Sequence, residues 1–250
     1  MIDICERAKH GIPSFGLYIS LLDPVVIEMA KVSGYDFARL DAEHINFDGH
    51  ILREMFRTAR LLDFPLQIRL GSADNLGAIL AMEPSAIMLP HIESAESARS
   101  MVAETKYHPL GQRGMYGYAP SIRYGGIGAF DYLEHSNKHM HTIVQIESVK
   151  GLENIDEIAS IDGIDMIASG KADLSQSLGI PRQVKDPKVI EAENRIMEAA
   201  LRHGKTPIVT ANTPERVEEL RGKGVQCFLL DFDDAILLRA MKNHLSPFRR

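Results

Sequence analysis

Glu147 and Asp173 are the residues whose type and position say most about chemistry. Glu147 closes the apolar run Thr142-Ile143-Val144-Gln145-Ile146, and Asp173 follows Asp165-Met166-Ile167-Ala168 after a tight Ser169-Gly170-Lys171-Ala172 turn. Both runs read as buried strands. Where strands and helices alternate, the carboxyl ends of parallel strands gather at one face, so acids far apart in sequence can converge there. Two hard oxygen ligands at such a mouth suit Mg²⁺ or Mn²⁺ and leave coordination positions for water or substrate. The chemistry this points to is metal-assisted work on a small oxo-acid.

Other strand ends extend the set. Asp41, Glu43 and His44 follow the second strand, Arg69 ends the third, and Gln145 stands two residues before Glu147. A carboxylate beside a histidine fixes its tautomer and orientation for proton transfer. An arginine offers a permanently charged planar fork to a carboxylate or an enolate oxygen. Each residue alone has a plainer use. Glu147 or Asp173 can cap a helix, Arg69 can pair with Asp41, and His44 is one of 10 histidines. Their joint occurrence at consecutive strand ends favours a site.

The elements that must position them alternate along the chain. Predicted strands cover 14–19, 37–40, 66–69, 86–89, 142–146, 165–168, 206–209 and 226–230. Helices open at Asp23-Pro24, Asp48, Ser94, Asp186-Pro187, Thr213-Pro214 and Asp234, most with a capping side chain or a first-turn proline. Eight strands in 250 residues predict an α/β chain folded as one (β/α)₈ barrel over 1–250, with an open doubly wound sheet as runner-up. The glycine-rich stretch 107–141 breaks the rhythm and reads as a long irregular excursion, a candidate for gating or acceptor binding through Arg113, Tyr116, Tyr118, Arg123 and Tyr124, or a subunit contact.

Composition narrows the partners. A net charge of −6 with no basic block argues against nucleic acid. No apolar run is long enough to span a bilayer and no signal peptide is evident, so a cytoplasmic protein is expected. Cys5 and Cys227 have no metal or redox spacing and are expected as reduced thiols. His139-Met140-His141 looks like a metal tract, but it precedes the fifth strand at the opposite end and reads as surface residues. Gly204-Lys205-Thr206 lacks the leading glycine of a phosphate loop, and no Gly-x-Ser-x-Gly elbow occurs.

Leu40-Asp41-Ala42-Glu43-His44, Ile68-Arg69, Gly111-Gln112-Arg113-Gly114, Val144-Gln145-Ile146-Glu147 and Ala172-Asp173-Leu174-Ser175 together resemble the motifs of the HpcH/HpaI aldolases. These are metal-dependent (class II) pyruvate aldolases, acting in aromatic-compound or sugar-acid catabolism. The resemblance implies a phosphoenolpyruvate/pyruvate-type barrel with Glu147 and Asp173 as ligands of Mg²⁺ or Mn²⁺, Co²⁺ being a further candidate. It implies that Arg69 stabilises the enolate oxygen and that His44, oriented by Asp41, moves the proton. Gln145 would line the pyruvate site, and the turn through Ala172 and Asp173 would receive the substrate carboxylate on backbone N–H groups. It also implies a homo-oligomer, typically a hexamer, in which an acid near the fourth strand enters a neighbour's site.

That acid is here Glu83, in Met82-Glu83-Pro84-Ser85-Ala86, where the family has Leu-Asp-x-Gly-Ala. Lys171 stands where the family has proline. It is expected to project into solvent, with recognition of an acceptor carboxylate as the alternative. The leading expectation is cleavage of a 4-hydroxy-2-oxo acid to pyruvate and an aldehyde. Alternatives are a Schiff-base aldolase using Lys171, a related oxo-acid or acyl-thioester lyase, and a non-catalytic metabolite-binding barrel.

Overall fold

The computed structural model describes residues 2–249, the side chain of Ala129 excepted. Among these residues eight parallel strands close into a barrel in sequence order: β1 (Ser14–Ile19), β2 (Phe37–Ala42), β3 (Leu66–Leu70), β4 (Ala86–Leu89), β5 (His141–Ile146), β6 (Met166–Ser169), β7 (Thr206–Thr210) and β8 (Cys227–Phe232), which pairs back with β1. The predicted barrel stands, and the open sheet does not.

The helices are α1 (Ile4–Lys9), α2 (Val25–Val32), α3 (Gly49–Leu61), α4 (Leu76–Leu80), α5 (Ala95–Thr105), α6 (Ala129–His139), α7 (Val149–Glu153), α8 (Ile155–Ala159), α9 (Lys171–Ser177), α10 (Pro187–Arg202), α11 (Pro214–Gly222) and α12 (Asp233–Leu245). No helix among the described residues is long and apolar enough to cross a membrane.

Period-two alternation along each strand sorts the side chains. Leu40, Ile68, Ile87, Val144 and Ile167 share one core with helix residues such as Met55, Ala98, Ile158 and Ile196. Phe37, Ala86, Met88, Ile143, Met166 and Leu229 form a second cluster inside the barrel. Full burial of an Ile or Leu contributes about 1.5–3 kcal/mol, so packing stabilises the wall and frees the strand ends for polar residues. Ile4 and Cys5 of α1 join the interior cluster and cover the N-terminal end. There the Phe37 ring lies so close to Gly16 that a Cβ on Gly16 would meet it at 2.3 Å. Higher in the barrel Arg39, 1% exposed, donates to Gln67 Oε1 from Nε and Nη2 at 3.0 and 2.8 Å.

Helix starts follow the capping residues. Asp48 accepts from the N–H groups of His50 and Ile51 to open α3, and Ser94 and Ser97 form a capping box on α5. The stretch 107–141 is more ordered than its glycines suggest. It holds a 3₁₀ turn at Pro120–Gly125 and the whole of α6, and Tyr107, Ala119, Ile122 and Tyr132 pack as a small cluster of their own. Arg113, one of the candidates for gating, acceptor binding or a subunit contact, is buried and donates to Ser136 Oγ and Leu80 O. His141 is not a surface residue either: it begins β5 and is 6% exposed.

Candidate active site

Strand register aligns the polar mouth. Asp41 pairs with Arg69 across β2–β3, Arg69 with Met88 across β3–β4, and Gln145 with Ala168 across β5–β6. Inward-pointing residues two apart on β2 (Phe37, Arg39, Asp41) thus rise from apolar floor to charged rim.

On the β2–β3 side, Arg69 donates from Nε to Asp41 Oδ1 at 3.0 Å and from Nη2 to Asp41 Oδ2 at 2.6 Å. Its Nε is also 3.1 Å from Glu43 Oε2. Burial alone would raise the Asp41 carboxyl, but the hydrogen bonds and charge of Arg69, with a smaller contribution from His44, hold it below the ordinary carboxylate value. His44 is exposed and lies beside the pair: Asp41, Glu43 and His44 each present a ligand atom within 4.8 Å of the others.

On the β5–β6 side, Glu147 is 3% exposed. Its Oε1 accepts the His91 backbone N–H at 2.8 Å and lies 2.9 Å from His91 Nδ1, while Gln145 Nε2 donates to its Oε2. Burial raises the Glu147 carboxyl; the His91 N–H works against this, and the negative charges of Glu43 and Asp173 add to it. Asp173 stands in the first turn of α9, with Ala172 beside it, near enough for its negative charge to be felt at Glu147. A Cβ on Gly170 would come within 2.5 Å of both Gln145 Nε2 and Glu147 Oε2, so only glycine leaves room for this pair. Asp41, His44, Arg69, Gln145, Lys171, Ala172 and Asp173 all line one open cavity of about 940 Å³.

Of the expected residues, all but Glu147 and Glu83 thus share this cavity, and Glu147 is joined to it through Gln145. Lys171 is half-buried rather than projecting freely into solvent: its Nζ lies 3.2 Å from Oε1 of Glu193, a fully buried carboxylate that also pairs with Arg216 at 2.5 Å. A buried carboxylate needs compensating charge, and Lys171 helps supply it. Glu83 lies apart, in a separate cavity with Arg60 and Arg123, where burial raises its carboxyl against the pull of both arginines. Glu43 and His91 belong to the mouth as well, forming with Glu147 a group of ligand atoms within 4.8 Å. Glu43 is visible in the sequence as a strand-end residue but carries no assigned role there. His91, directly after the Pro90 that stops β4, enters from a left-handed backbone position (φ +57°) that strand periodicity does not reveal.

The donors fit a divalent cation. Glu147 is a buried carboxylate and Asp173 an exposed one, Glu43 lies beside Glu147, and Gln145 Oε1 is buried with no hydrogen-bond partner of its own. Oxygen-rich sites of this kind suit Mg²⁺ and Mn²⁺.

The sequence profile of the HpcH/HpaI aldolase/citrate lyase family matches residues 14–240. The 2-keto-3-deoxy-L-rhamnonate aldolase of Salmonella gallinarum is 31% identical over 98% of this chain and 92% of its own length. Among solved structures, the citrate synthase SbnG is 31% identical with a TM-score of 0.91, covering 100% of this chain and 98% of its own. A family protein from Burkholderia cenocepacia J2315 is 27% identical with a TM-score of 0.89, covering 98% of each chain. The chain belongs to the HpcH/HpaI aldolase/citrate lyase family, and its class, a carbon–carbon lyase on a (β/α)₈ barrel, is the one its motifs led us to expect.

Proposed function

We propose that this protein is a metal-dependent aldolase that reversibly cleaves a 4-hydroxy-2-oxo acid to pyruvate and an aldehyde. The observation that supports the reading is one open cavity lined by Asp41, His44, Arg69, Gln145 and Asp173, with Arg69 closed on Asp41 in its wall and Gln145 donating to the buried Glu147. Glu147 and Asp173 would hold the divalent ion, Mg²⁺, Mn²⁺ or Co²⁺. When bound, that ion supplies Lewis-acid charge to the carboxylate and keto oxygens of the pyruvate moiety.

The remaining work falls to this chain's own residues. Arg69 keeps N–H groups beyond those given to Asp41, and these face the oxygen that gains negative charge as the bond breaks. His44, turned by Asp41, takes the proton from the 4-hydroxyl and returns one in the reverse direction. Gln145 offers its orphaned carbonyl oxygen inside the pyruvate site. The N–H groups of Ala172 and Asp173, in the first turn of α9 and lacking intrahelical acceptors, receive the substrate carboxylate.

Glu83 reaches a neighbouring subunit's mouth in a homo-oligomer, a hexamer by family likeness. Exposed Leu238, Met241 and Phe248 at the C-terminal end and Met29 and Val32 on α2 support such contacts. The protein works in the cytoplasm on a small-molecule oxo-acid.

The test is pyruvate release from a panel of 4-hydroxy-2-oxo acids, 2-keto-3-deoxy-L-rhamnonate included, with and without chelator. Chelator should abolish release and Mn²⁺ or Mg²⁺ restore it. Metal-independent cleavage with pyruvate trapped on Lys171 by borohydride would overturn the reading. The likeness to a citrate synthase favours one second reading, condensation of an oxo-acid with an acyl thioester. Thioester consumption without pyruvate release would establish it.

A further inference from the structure

The opposite end of the barrel holds a second group of ligand-type side chains that aldol chemistry does not use. His141 is the first residue of β5, about 20 Å from Glu147 at ~3.3 Å per strand residue. Asp3 caps α1 and Cys5 lies in its first turn. A carboxylate oxygen of Asp3, the Cys5 sulfur and a ring nitrogen of His141 all lie within 4.8 Å of one another. Cys5 and His141 are 7% and 6% exposed.

We propose that Asp3, Cys5 and His141 form a binding site for a borderline divalent transition metal of the Zn²⁺ class, which ties α1 to the floor of the barrel. The spacings suit such an ion. Ligands at ~2.0–2.3 Å around a tetrahedral centre lie about 3.3–3.6 Å apart. His141 Nε2 is 3.2 Å from Asp3 Oδ1, and His139 Nδ1 is 3.6 Å from Asp3 Oδ2, within reach of the fourth position. Asp3 is held in place because its Oδ1 also accepts the Glu6 N–H at 3.0 Å.

Support stands behind the histidine. Asp165 Oδ1 lies 3.9 Å from His141 Nδ1, a buried atom with no hydrogen-bond partner. Asp165 is itself fixed by Lys106 Nζ at 2.8 Å and by the Thr142 N–H at 2.7 Å. A carboxylate behind a metal-binding histidine is the usual means of setting its ring orientation. A cavity of about 580 Å³, lined by Asp3, His139 and His141, gives an entry path.

The donor set selects the ion. A thiolate with an imidazole favours Zn²⁺, Co²⁺ or Ni²⁺ over Mg²⁺, whereas the oxygen donors of the catalytic mouth do not. Binding releases the Cys5 thiol proton and the proton on His141 Nε2 to solvent, and no redox change is involved.

Cobalt(II) reports the site directly, because a thiolate ligand gives a charge-transfer band in the near ultraviolet that oxygen ligands do not. The whole purified protein, freed of metal by chelator, is titrated with Co²⁺. The band should resist excess Mg²⁺, persist in Cys227→Ser, and in Glu147→Gln, which weakens the competing mouth site, grow to one equivalent per chain. It should vanish in Cys5→Ser and weaken at least tenfold in affinity in Asp3→Asn. No band in the wild type, a band that survives Cys5→Ser, or one that disappears with Glu147→Gln overturns the proposal. Should Cys5→Ser fail to fold, an unchanged affinity in Asp3→Asn overturns it equally. The band is read without turnover, so its absence leaves the aldolase reading untouched.

Discussion

Arg69 closes on both oxygens of Asp41, at 3.0 and 2.6 Å, from the position directly opposite it in the β2–β3 ladder. The pair fixes the guanidinium and places a negative charge beside His44. Asp41→Asn keeps the shape and removes the charge, so the fork loses its ionic partner. Cleavage should fall about 10²-fold in kcat, and His44→Ala should cost about 10²–10⁴-fold. Both variants should keep wild-type affinity for Mn²⁺. Steady-state pyruvate release alongside metal titration separates the two effects, and unchanged turnover in His44→Ala would remove its proton-transfer role.

Gly170→Ala tests the metal corner by steric means alone. Gly170 has a φ of −98°, which alanine adopts without strain, but the added methyl would lie 2.5 Å from Glu147 Oε2. Glu147 must shift. We expect an intact fold by circular dichroism and at least a tenfold loss of Mn²⁺ affinity.

Burial raises the Glu147 carboxyl above its ordinary 4.5, and this has consequences for binding and for stability. A cation binds the ionised form, so Mn²⁺ affinity should fall as pH drops through this raised value. An acid with a raised folded pKa binds its proton more tightly in the folded state, and stability declines as pH rises through that pKa. At neutral pH the ionised Glu147 therefore costs the metal-free fold stability. Glu147→Gln should raise the Tm of the chelated protein while abolishing cleavage; a lowered Tm would contradict the account.

Lys171→Ala leaves the buried Glu193 with Arg216 as its remaining cation. Removing one member of a buried ion pair is destabilising, and the partial exposure of Lys171 and the retained Arg216 reduce the effect to about 1–2 kcal/mol. Denaturant titration should show this loss with metal-dependent cleavage retained. Loss of cleavage at full metal occupancy would give Lys171 a part in the chemistry.

The barrel floor should respond to pH in the chelated protein. Burial works against protonation of His141, but Asp165 and Asp3 outweigh it and raise the imidazole well above 6.5. The hydrogen bond from His141 lowers Asp3; in Asp165 burial is outweighed by His141 and Lys106, and it too falls below 3.8. The histidine's contribution is complete below the unfolded value near 6.5 and is lost as pH rises through the folded one. The acids contribute above about 3.8 and lose their contribution as pH falls. The Tm difference between wild type and His141→Gln should therefore be largest between about pH 4 and 6.5, and shrink in alkali.

Barrel and mouth were legible in the sequence because both follow from strand periodicity and strand ends. Asp41, Arg69, Gln145 and Glu147 sit on inward positions that alternation predicts, and Asp48, Ser94 and Asp186 cap where their types say they should. What escaped depends on distant parts of the chain. The buried Glu193 that holds Lys171 is 22 residues away, on another helix. His91 enters the mouth from a left-handed backbone conformation, φ +57°, that no periodicity announces. α6 was hidden by neighbouring glycines, although Tyr132, Ser136 and Met140 are spaced as one buried helical face. His141 looked like surface because Asp3 and Asp165, which bury it, are remote in sequence.

The Phe37 ring pressed against Gly16, with α1 packed below it, fills the N-terminal end of the barrel with apolar side chains. Traffic must then pass through the mouth in both directions. On the aldolase reading the pyruvate moiety sits deepest, between Arg69 and Glu147, and the aldehyde lies above it toward solvent. The aldehyde therefore departs first and pyruvate last, so the kinetics are ordered. Pyruvate should inhibit cleavage competitively against the oxo-acid, and the aldehyde noncompetitively.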